Sequence, residues 1–224
     1  GNVSGISRIG GFAGYNSEII NTSFAHGDVT GEYRVGGFVG RNSSSAEVSD
    51  SLAEGNVTGL TVGDELGQIG GFAGANDGLL QSVTAQGNVT AGSTSDVGGL
   101  IGLHRGVVAN STASGNVVGA ENVGGFIGYV DFDTDDDDVP VPAIISGATA
   151  TGTVDGAAAV GGLIGFNDLG KVGGSQASGA VTATANRAGG LVGRNNGSID
   201  ESTATSTVNG VAEVGGVVGF NDAG

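Results

Sequence analysis

A run of aspartates between residues 131 and 138 gives this 224-residue chain its clearest capacity for chemistry. It opens as Asp-x-Asp-x-Asp, a spacing that points alternate carboxylates at one hard cation such as Ca²⁺. The candidate ligands are Asp131, Asp133, Asp135 and Asp137. An EF-hand is excluded, because Asp136 replaces the glycine of the sixth position and Pro142 replaces the bidentate Glu of the twelfth. The run predicts either an irregular calcium site or a solvated acidic loop.

Seven Asn-x-Ser/Thr triplets match the acceptor pattern for N-linked glycans. They begin at Asn2, Asn21, Asn42, Asn56, Asn88, Asn110 and Asn196. Asn56 and Asn88 are each followed by Val-Thr at the same place of an internal repeat, so the repeat alone also explains them. We expect glycans at one or more of the seven, with an unmodified polar face as the alternative.

The other side chains offer little for catalysis. The chain has no cysteine, only two histidines (His26 and His104), and neither His-Glu-x-x-His nor Gly-x-Ser-x-Gly. A carboxylate pair of the kind that cleaves glycosides is represented only by Asp28 and Glu54, which occupy non-equivalent repeat positions. We therefore expect a protein that is not an enzyme and that has no catalytic residue and no cofactor besides the candidate calcium.

Charge and composition narrow the class of protein further. The formal net charge is −16, from 23 acidic and 7 basic residues, which disfavours nucleic acid as a partner and is typical of proteins in high-salt surroundings. No run of 18 apolar residues is present, so no membrane span is expected in this segment. The 48 glycines come with only 2 prolines and with regularly placed aliphatic residues, which excludes collagen and disorder.

The glycines belong to a repeat. A Gly-Gly-Φ-Φ-Gly element, where Φ is apolar or alanine, occurs eight times, beginning at Gly10, Gly36, Gly70, Gly98, Gly124, Gly161, Gly189 and Gly215. An Ala-x-Gly-x-Val element, first seen at Ala25, Gly27 and Val29, lies between successive copies. Its alternation places these three side chains on the inner face of a strand. A third apolar position predicts another strand, at Ile19, Val48, Leu79, Val107, Val172 and Ile199.

A fixed period of this length is the signature of stacked coils, none of which buries its apolar side alone. The sequence therefore predicts an all-β fold, a parallel β-solenoid of about eight coils with three short strands per coil. Residues 1–224 form a single repeat domain, and the longer periods mark loop insertions at 59–68 and 130–142.

The Gly-Gly element is followed by asparagine in most copies, at Asn16, Asn42, Asn76, Asn167, Asn195 and Asn221. His104 and Val130 occupy this position in two others. With this asparagine, the repeat resembles the GLUG motif, which occurs in tandem in secreted and surface proteins of bacteria and archaea, including adhesin-like proteins and non-catalytic parts of some immunoglobulin A peptidases. The asparagines form either a ligand-binding row or, as we expect, a ladder that hydrogen-bonds coil to coil.

The resemblance implies an extracellular or cell-surface location and a structural role, as a stalk or adhesive segment. The alternatives are a subunit of an extracellular filament or virus fibre and, more remotely, a carbohydrate-binding or carbohydrate-cleaving β-helix. Expected partners are other copies or flanking domains of the same protein and cell-surface glycans or proteins. The repeat is cut inside a coil at Gly1 and again at Gly224, so we expect the coils to continue in a longer chain or in a neighbouring copy.

Overall fold

The computed structural model is a parallel β-solenoid of about seven turns. It describes residues 1–60, 67–92, 95–134 and 139–222, and these contain strands and turns but no helix. Every coil lies over the preceding one, with parallel pairing between equivalent strands. The predicted fold class is confirmed.

Most coils contain five short strands, here called a to e in chain order, and not the predicted three. Strand a is Val3–Ser4, Val29–Gly31, Val57–Gly59, Val89–Ala91, Val117–Val118 and Val208–Asn209. Strand b is Ser7–Gly10, Tyr33–Gly36, Gly67–Gly70, Ser95–Gly98, Glu121–Gly124 and Ala212–Gly215. In two coils a and b are continuous, as Val154–Gly161 and Val181–Gly189. Strand c is Ala13–Asn16, Val39–Asn42, Ala73–Asn76, Ile101–His104, Ile127–Val130, Ile164–Asn167, Val192–Asn195 and Val218–Asn221.

The other two strands complete the coil. Strand d is Ile19–Asn21, Glu47–Ser49, Leu79–Gln81, Val107–Ala109, Ile144–Ser146, Lys171–Gly173 and Ser198–Asp200. Strand e is Phe24–Ala25, Leu52–Ala53, Thr84–Ala85, Thr112–Ala113, Thr149–Ala150, Gln176–Ala177 and Thr203–Ala204. The strand count exceeds the prediction for two reasons. Gly27 and its equivalents separate e from a, which the sequence pattern joined. The second glycine of each Gly-Gly pair and the residue after it separate b from c.

The register confirms that the Gly-Gly pairs stack in one column, since Gly36 pairs with both Gly10 and Gly70 and the pattern continues to Gly215. Ala25, Ala53 and Ala85 stack in the same way in strand e. The predicted inner face of Ala-x-Gly-x-Val is also correct, because Ala53, Gly55 and Val57 are buried.

Strand d differs from the prediction by one residue at three places. Its inward column contains Ile20, Leu80 and Val108, and their neighbours Ile19, Leu79 and Val107 point outward. Where two adjacent residues are both apolar, an alternating pattern does not show which one faces the core, so the prediction selected the wrong residue of each pair.

The first insertion falls in the a-to-b connection, where strand a ends at Gly59 and strand b resumes at Gly67, and residues 61–66 lie outside the described residues. The second insertion is a hairpin, with Phe132–Thr134 antiparallel to Pro140–Pro142. It joins strands c and d of one coil, so the predicted loop at 130–142 is partly regular structure.

The glycine column divides the interior into two apolar cores. One core, between strands c, d and e, contains Phe38 and Ala53, and the other, between a and b, contains Val35 and Val57. At the second glycine of the inner pairs both the next coil and the opposite wall are close, since a methyl group on Gly71 would overlap the carbonyl oxygen of Gly99 in the next coil and lie 3.2 Å from the Ala85 Cβ on the opposite wall. The coil is therefore pinched at a waist that only glycine fits.

We expect Gly71→Ala to lower the free energy of unfolding by about 3 kcal/mol, because the added methyl forces apart two walls and two coils. Gly173→Ala is the matched control, since its Cβ would meet no atom within 4 Å, and it should change stability by less than about 0.5 kcal/mol. Urea denaturation of both variants measures the difference. Equal stabilities would show that the waist tolerates a side chain.

Candidate functional site

The asparagines that end strand c form a ladder that is buried in the inner coils. Asn16 Nδ2 donates to Asn42 Oδ1 and Asn42 Nδ2 to Asn76 Oδ1, each at 2.9 Å. The same bond joins Asn167 to Asn195 and Asn195 to Asn221 at 2.8 Å. The second hydrogen of each amide is used within its own turn, as from Asn76 Nδ2 to the Gly78 carbonyl at 3.0 Å. The ladder is structural, as expected, since these amides satisfy one another.

His104 and Val130 interrupt this ladder in adjacent coils. Asn76 Nδ2 donates to His104 Nδ1 at 3.2 Å, which assigns the ring proton to Nε2, and Nε2 donates to the Ile144 carbonyl at 3.3 Å. Val130 offers no donor to the next coil, and Asn167 Oδ1 has no hydrogen-bond partner among the described residues. The solenoid therefore contains two separate ladders with one unsatisfied acceptor between them.

Two buried ionisable groups lie close to this interruption. Burial lowers the pKa of His104 to about 4, against a smaller raising effect of the Ile144 carbonyl and of Asp77. Burial raises the pKa of Asp96 to about 6, opposed by the hydrogen bond from Asn122 Nδ2 to Asp96 Oδ1 at 2.9 Å. In both cases the neutral form is favoured inside the fold.

The candidate calcium ligands are only partly described. Asp131 accepts from Arg105 Nε at 2.8 Å and from the Phe132 backbone N–H at 3.0 Å. Asp133 is exposed in the hairpin, where its Oδ1 accepts from the Thr134 backbone N–H at 2.9 Å. Asp135 and Asp137 lie outside the described residues. Within the described residues no three acidic or histidine side chains gather as a metal-binding group.

Asp131 ends a row of alternating charges along the outside of the rod. Arg41 Nε lies 2.8 Å from Asp77 Oδ2, and Asp77 Oδ1 lies 3.6 Å from Arg105 Nη1. Arg105 continues to Asp131 in the next coil. The row fixes the base of the hairpin, because Asp131 immediately precedes its first strand, Phe132–Thr134.

The glycan candidates differ in accessibility. Asn2, Asn21, Asn56, Asn88 and Asn110 are exposed. Asn196 is half-buried and donates to Asp168 Oδ1 at 2.7 Å. Asn42 is fully buried in the ladder, so its amide nitrogen is inaccessible to glycosylation in the folded chain.

Three of the exposed candidates belong to another ladder on the outer wall, and the repeat pattern already predicts a row at Asn56, Asn88 and Asn116. Oδ1 of each residue accepts the backbone N–H of the next coil at 2.9–3.0 Å. The acceptors are Asn2, Asp28, Asn56, Asn88 and Asn116. The signal was the recurrent Asn or Asp between glycine and valine. An open groove of about 420 Å³ runs over its first rungs, lined by polar side chains.

The carboxylates considered for glycoside cleavage have other partners. Glu54 pairs with His26, and Asp28 Oδ1 accepts the Asn56 backbone N–H at 2.9 Å. Both contacts occur on the exposed outer wall. The described contacts therefore assign these two groups to links between coils.

A family model described as the GLUG motif matches residues 31–58, 119–155 and 184–209. Three turns of this chain match the GLUG motif. Each matched GLUG region begins at or after strand a of one coil and ends at strand a of the next, so one motif corresponds to one turn of the solenoid. No curated protein and no solved structure matches the chain. The described part of the chain contains no apolar helix of membrane-spanning length.

We expect asparagine at both interrupted positions of the ladder, His104 and Val130, to stabilise the protein by more than the sum of the two separate substitutions. In Val130→Asn alone the new amide satisfies Asn167 Oδ1, but its own oxygen faces His104, whose donor is used by Ile144. Adding His104→Asn supplies that donor and completes an eight-rung ladder. We expect the double variant to exceed the sum of the single effects on the free energy of unfolding by about 1 kcal/mol.

Urea denaturation of the four proteins in this cycle measures the coupling. Val108→Asn serves as a control, because it places the same amide in a buried strand d position without a ladder partner, and it should only destabilise. Additive single effects would show that the two rungs are independent.

His104 and Asp96 should have opposite effects on how the free energy of unfolding changes with pH. Unfolding raises the His104 pKa from about 4 to 6.5, so its contribution to stability is complete above pH 6.5 and is lost as pH falls toward 4. The Asp96 pKa falls from about 6 to 3.8 on unfolding, so its contribution is complete below pH 3.8 and is lost as pH rises through 6. Each amounts to about 3 kcal/mol at most.

Relative to wild type, we expect the free energy of unfolding of His104→Asn to fall between pH 4 and pH 6, because the substitution removes a contribution that grows with pH. We expect that of Asp96→Asn to rise over the same range, because it removes a contribution that declines with pH. Gln176→Ala is the control, since Gln176 is exposed and carries no titratable group, and its profile should follow wild type. Thermal unfolding at half-unit pH intervals measures all four. Parallel profiles for His104→Asn and wild type would contradict the assignment.

Proposed function

We propose that this GLUG-repeat chain is a non-catalytic structural module of an extracellular surface protein, serving as a stalk or adhesive segment. The observation that carries the proposal is the continuous hydrogen bonding between coils along the rod axis. The N–H groups of Val29, Val57 and Val89 donate to the coil that follows, each at 2.9 Å. Such a stack is a stiff element whose length depends on the number of coils and not on any one site.

The dimensions and charge of the rod suit a spacer. Seven steps at the usual strand spacing of ~4.8 Å give a length of roughly 34 Å. The net charge of −16 opposes lateral association, which keeps neighbouring rods apart. Stability comes from stacked columns and requires no disulfide, since the chain has no cysteine.

Filament assembly is the second candidate, because the coil-on-coil pairing that builds the rod is a contact that a second copy could continue. Phe12 in the first coil is 50% exposed and Val217 in the last is 47% exposed, at a position that inner coils bury with Phe38 or Leu100. Glu213 pairs with Arg187 at 3.0 Å, and the same column begins with Arg8 in the first coil. A second copy stacked end to end would bury these apolar groups and bring Arg8 of one copy beside Glu213 of the other.

The carbohydrate alternative has weaker support. Tyr129 and Phe166 lie together on the outside of strand c, but their rings stack on each other at 5.1 Å, and Arg194 covers Phe166 at 4.4 Å. Sugar-binding aromatic platforms need an open ring face. We therefore place the structural role first.

Surface labelling in the source cells, together with a coil deletion, tests the proposed role. Antibodies against the chain should label intact cells. Deleting residues 176–202 removes one complete turn, since Thr203 takes the place of Gln176, and it should shorten the rod by ~4.8 Å without loss of folding or display. Small-angle scattering measures the length of the purified chain.

Gln176→Ala is the control for the deletion, since it alters the same coil without shortening the rod. Labelling that requires permeabilised cells would refute the surface role. Purified fibres far longer than one chain, dispersed by Val217→Lys, would favour the filament candidate over the stalk.

A further inference from the structure

The hairpin of residues 132–142 exposes apolar side chains where the surrounding walls are polar. Val139 is 53% exposed, and Val141 and Ile144 are each 45% exposed. In the described inner coils the other large apolar residues of similar exposure, Leu60 and Val118, occur singly. A cluster of exposed apolar groups on a soluble, acidic rod marks a contact surface more often than isolated ones do.

The cluster continues on the outer face of strand d. Ile144 pairs in register with Val107, which pairs with Leu79, so three outward apolar side chains lie in consecutive coils. The name hairpin patch is used here for Leu79, Val107, Val139, Val141 and Ile144. These residues combine a stripe along the rod with a hairpin beside it.

The hairpin is held firmly at its base. Val130 and Ala143, which flank it, are fully buried in the larger core, and Asp131 is bound by Arg105 at 2.8 Å. Both prolines of the chain, Pro140 and Pro142, lie in its second strand. They fix the backbone and remove two N–H donors, so a partner would be recognised through side chains and not by adding a strand. A surface ordered in advance loses little entropy on binding.

Charge defines the partner. The protein carries a net charge of −16, and Asp133 lies directly opposite Val141 in the hairpin. Lys171 adjoins Ile144 in the next coil, but the excess of negative charge over the whole chain attracts cationic surfaces and repels acidic ones. We propose that the hairpin patch is a docking surface for a protein segment that combines apolar side chains with Lys or Arg. The inference goes beyond the structural role, since the rod could serve as a stalk even if the patch bound nothing.

A library of random 12-residue peptides displayed on phage tests the proposal, with the purified chain as bait. We expect enriched peptides to combine apolar residues with Lys or Arg. Synthetic copies should bind the variant Val141→Ser/Ile144→Ser at least about tenfold more weakly than wild type. Val118→Ser is the matched control, because Val118 is 43% exposed on another wall, and it should bind as wild type does. Thermal unfolding of each variant confirms that the fold is retained.

Binding measured at high salt distinguishes this apolar contact from attraction between opposite charges alone. A basic peptide of equal charge without apolar residues should bind all three proteins equally and should be released at high salt. The selected peptides should retain their preference for wild type there. Enrichment of acidic peptides, equal binding to wild type and to Val141→Ser/Ile144→Ser, or no enrichment at all would overturn the proposal.

Discussion

Equivalent residues of successive coils lie directly above one another, at the spacing of paired strands, and the other features of the structure depend on this constraint. It turns each position of the repeat into a column whose members must be mutually compatible. Apolar columns become two cores, and glycine columns become the waist between them. Amide columns become ladders, since an asparagine in one coil finds its donor and acceptor in the next. A residue is thus selected by its counterparts about one period away more than by its neighbours along the chain.

This dependence explains what the sequence could predict. The stacking of Gly-Gly pairs and the buried alternation at Ala53, Gly55 and Val57 followed from the period, because only one register matches every copy. The break between strands e and a was not predictable, since an alternating pattern continues through Gly27 although the strand does not. Ile19 and Ile20 show a second limit, because adjacent apolar residues hide which one faces the core.

The candidate sites were predicted less completely than the fold. The acidic run was identified, yet the pairing of Asp131 with Arg105 depends on a contact between coils that no local pattern contains. Burial of Asn42 could not be inferred from its Asn-x-Ser triplet, since the same residue also belongs to the ladder. The hairpin patch was missed because its apolar residues come from the insertion and from strands d, which only the register places side by side.

The buried ladder also gives the rod a direction. Every amide donates toward the later coil, from Asn16 to Asn42 and from Asn195 to Asn221, so the side-chain dipoles add along the axis. The ladder therefore presents an amide oxygen acceptor at its first coil and an amide N–H donor at its last. Two rods that met through equivalent ends would bring acceptor against acceptor or donor against donor. A stack of such coils has a polarity along its axis, as a helix does, and a further coil can join this ladder only with the same polarity.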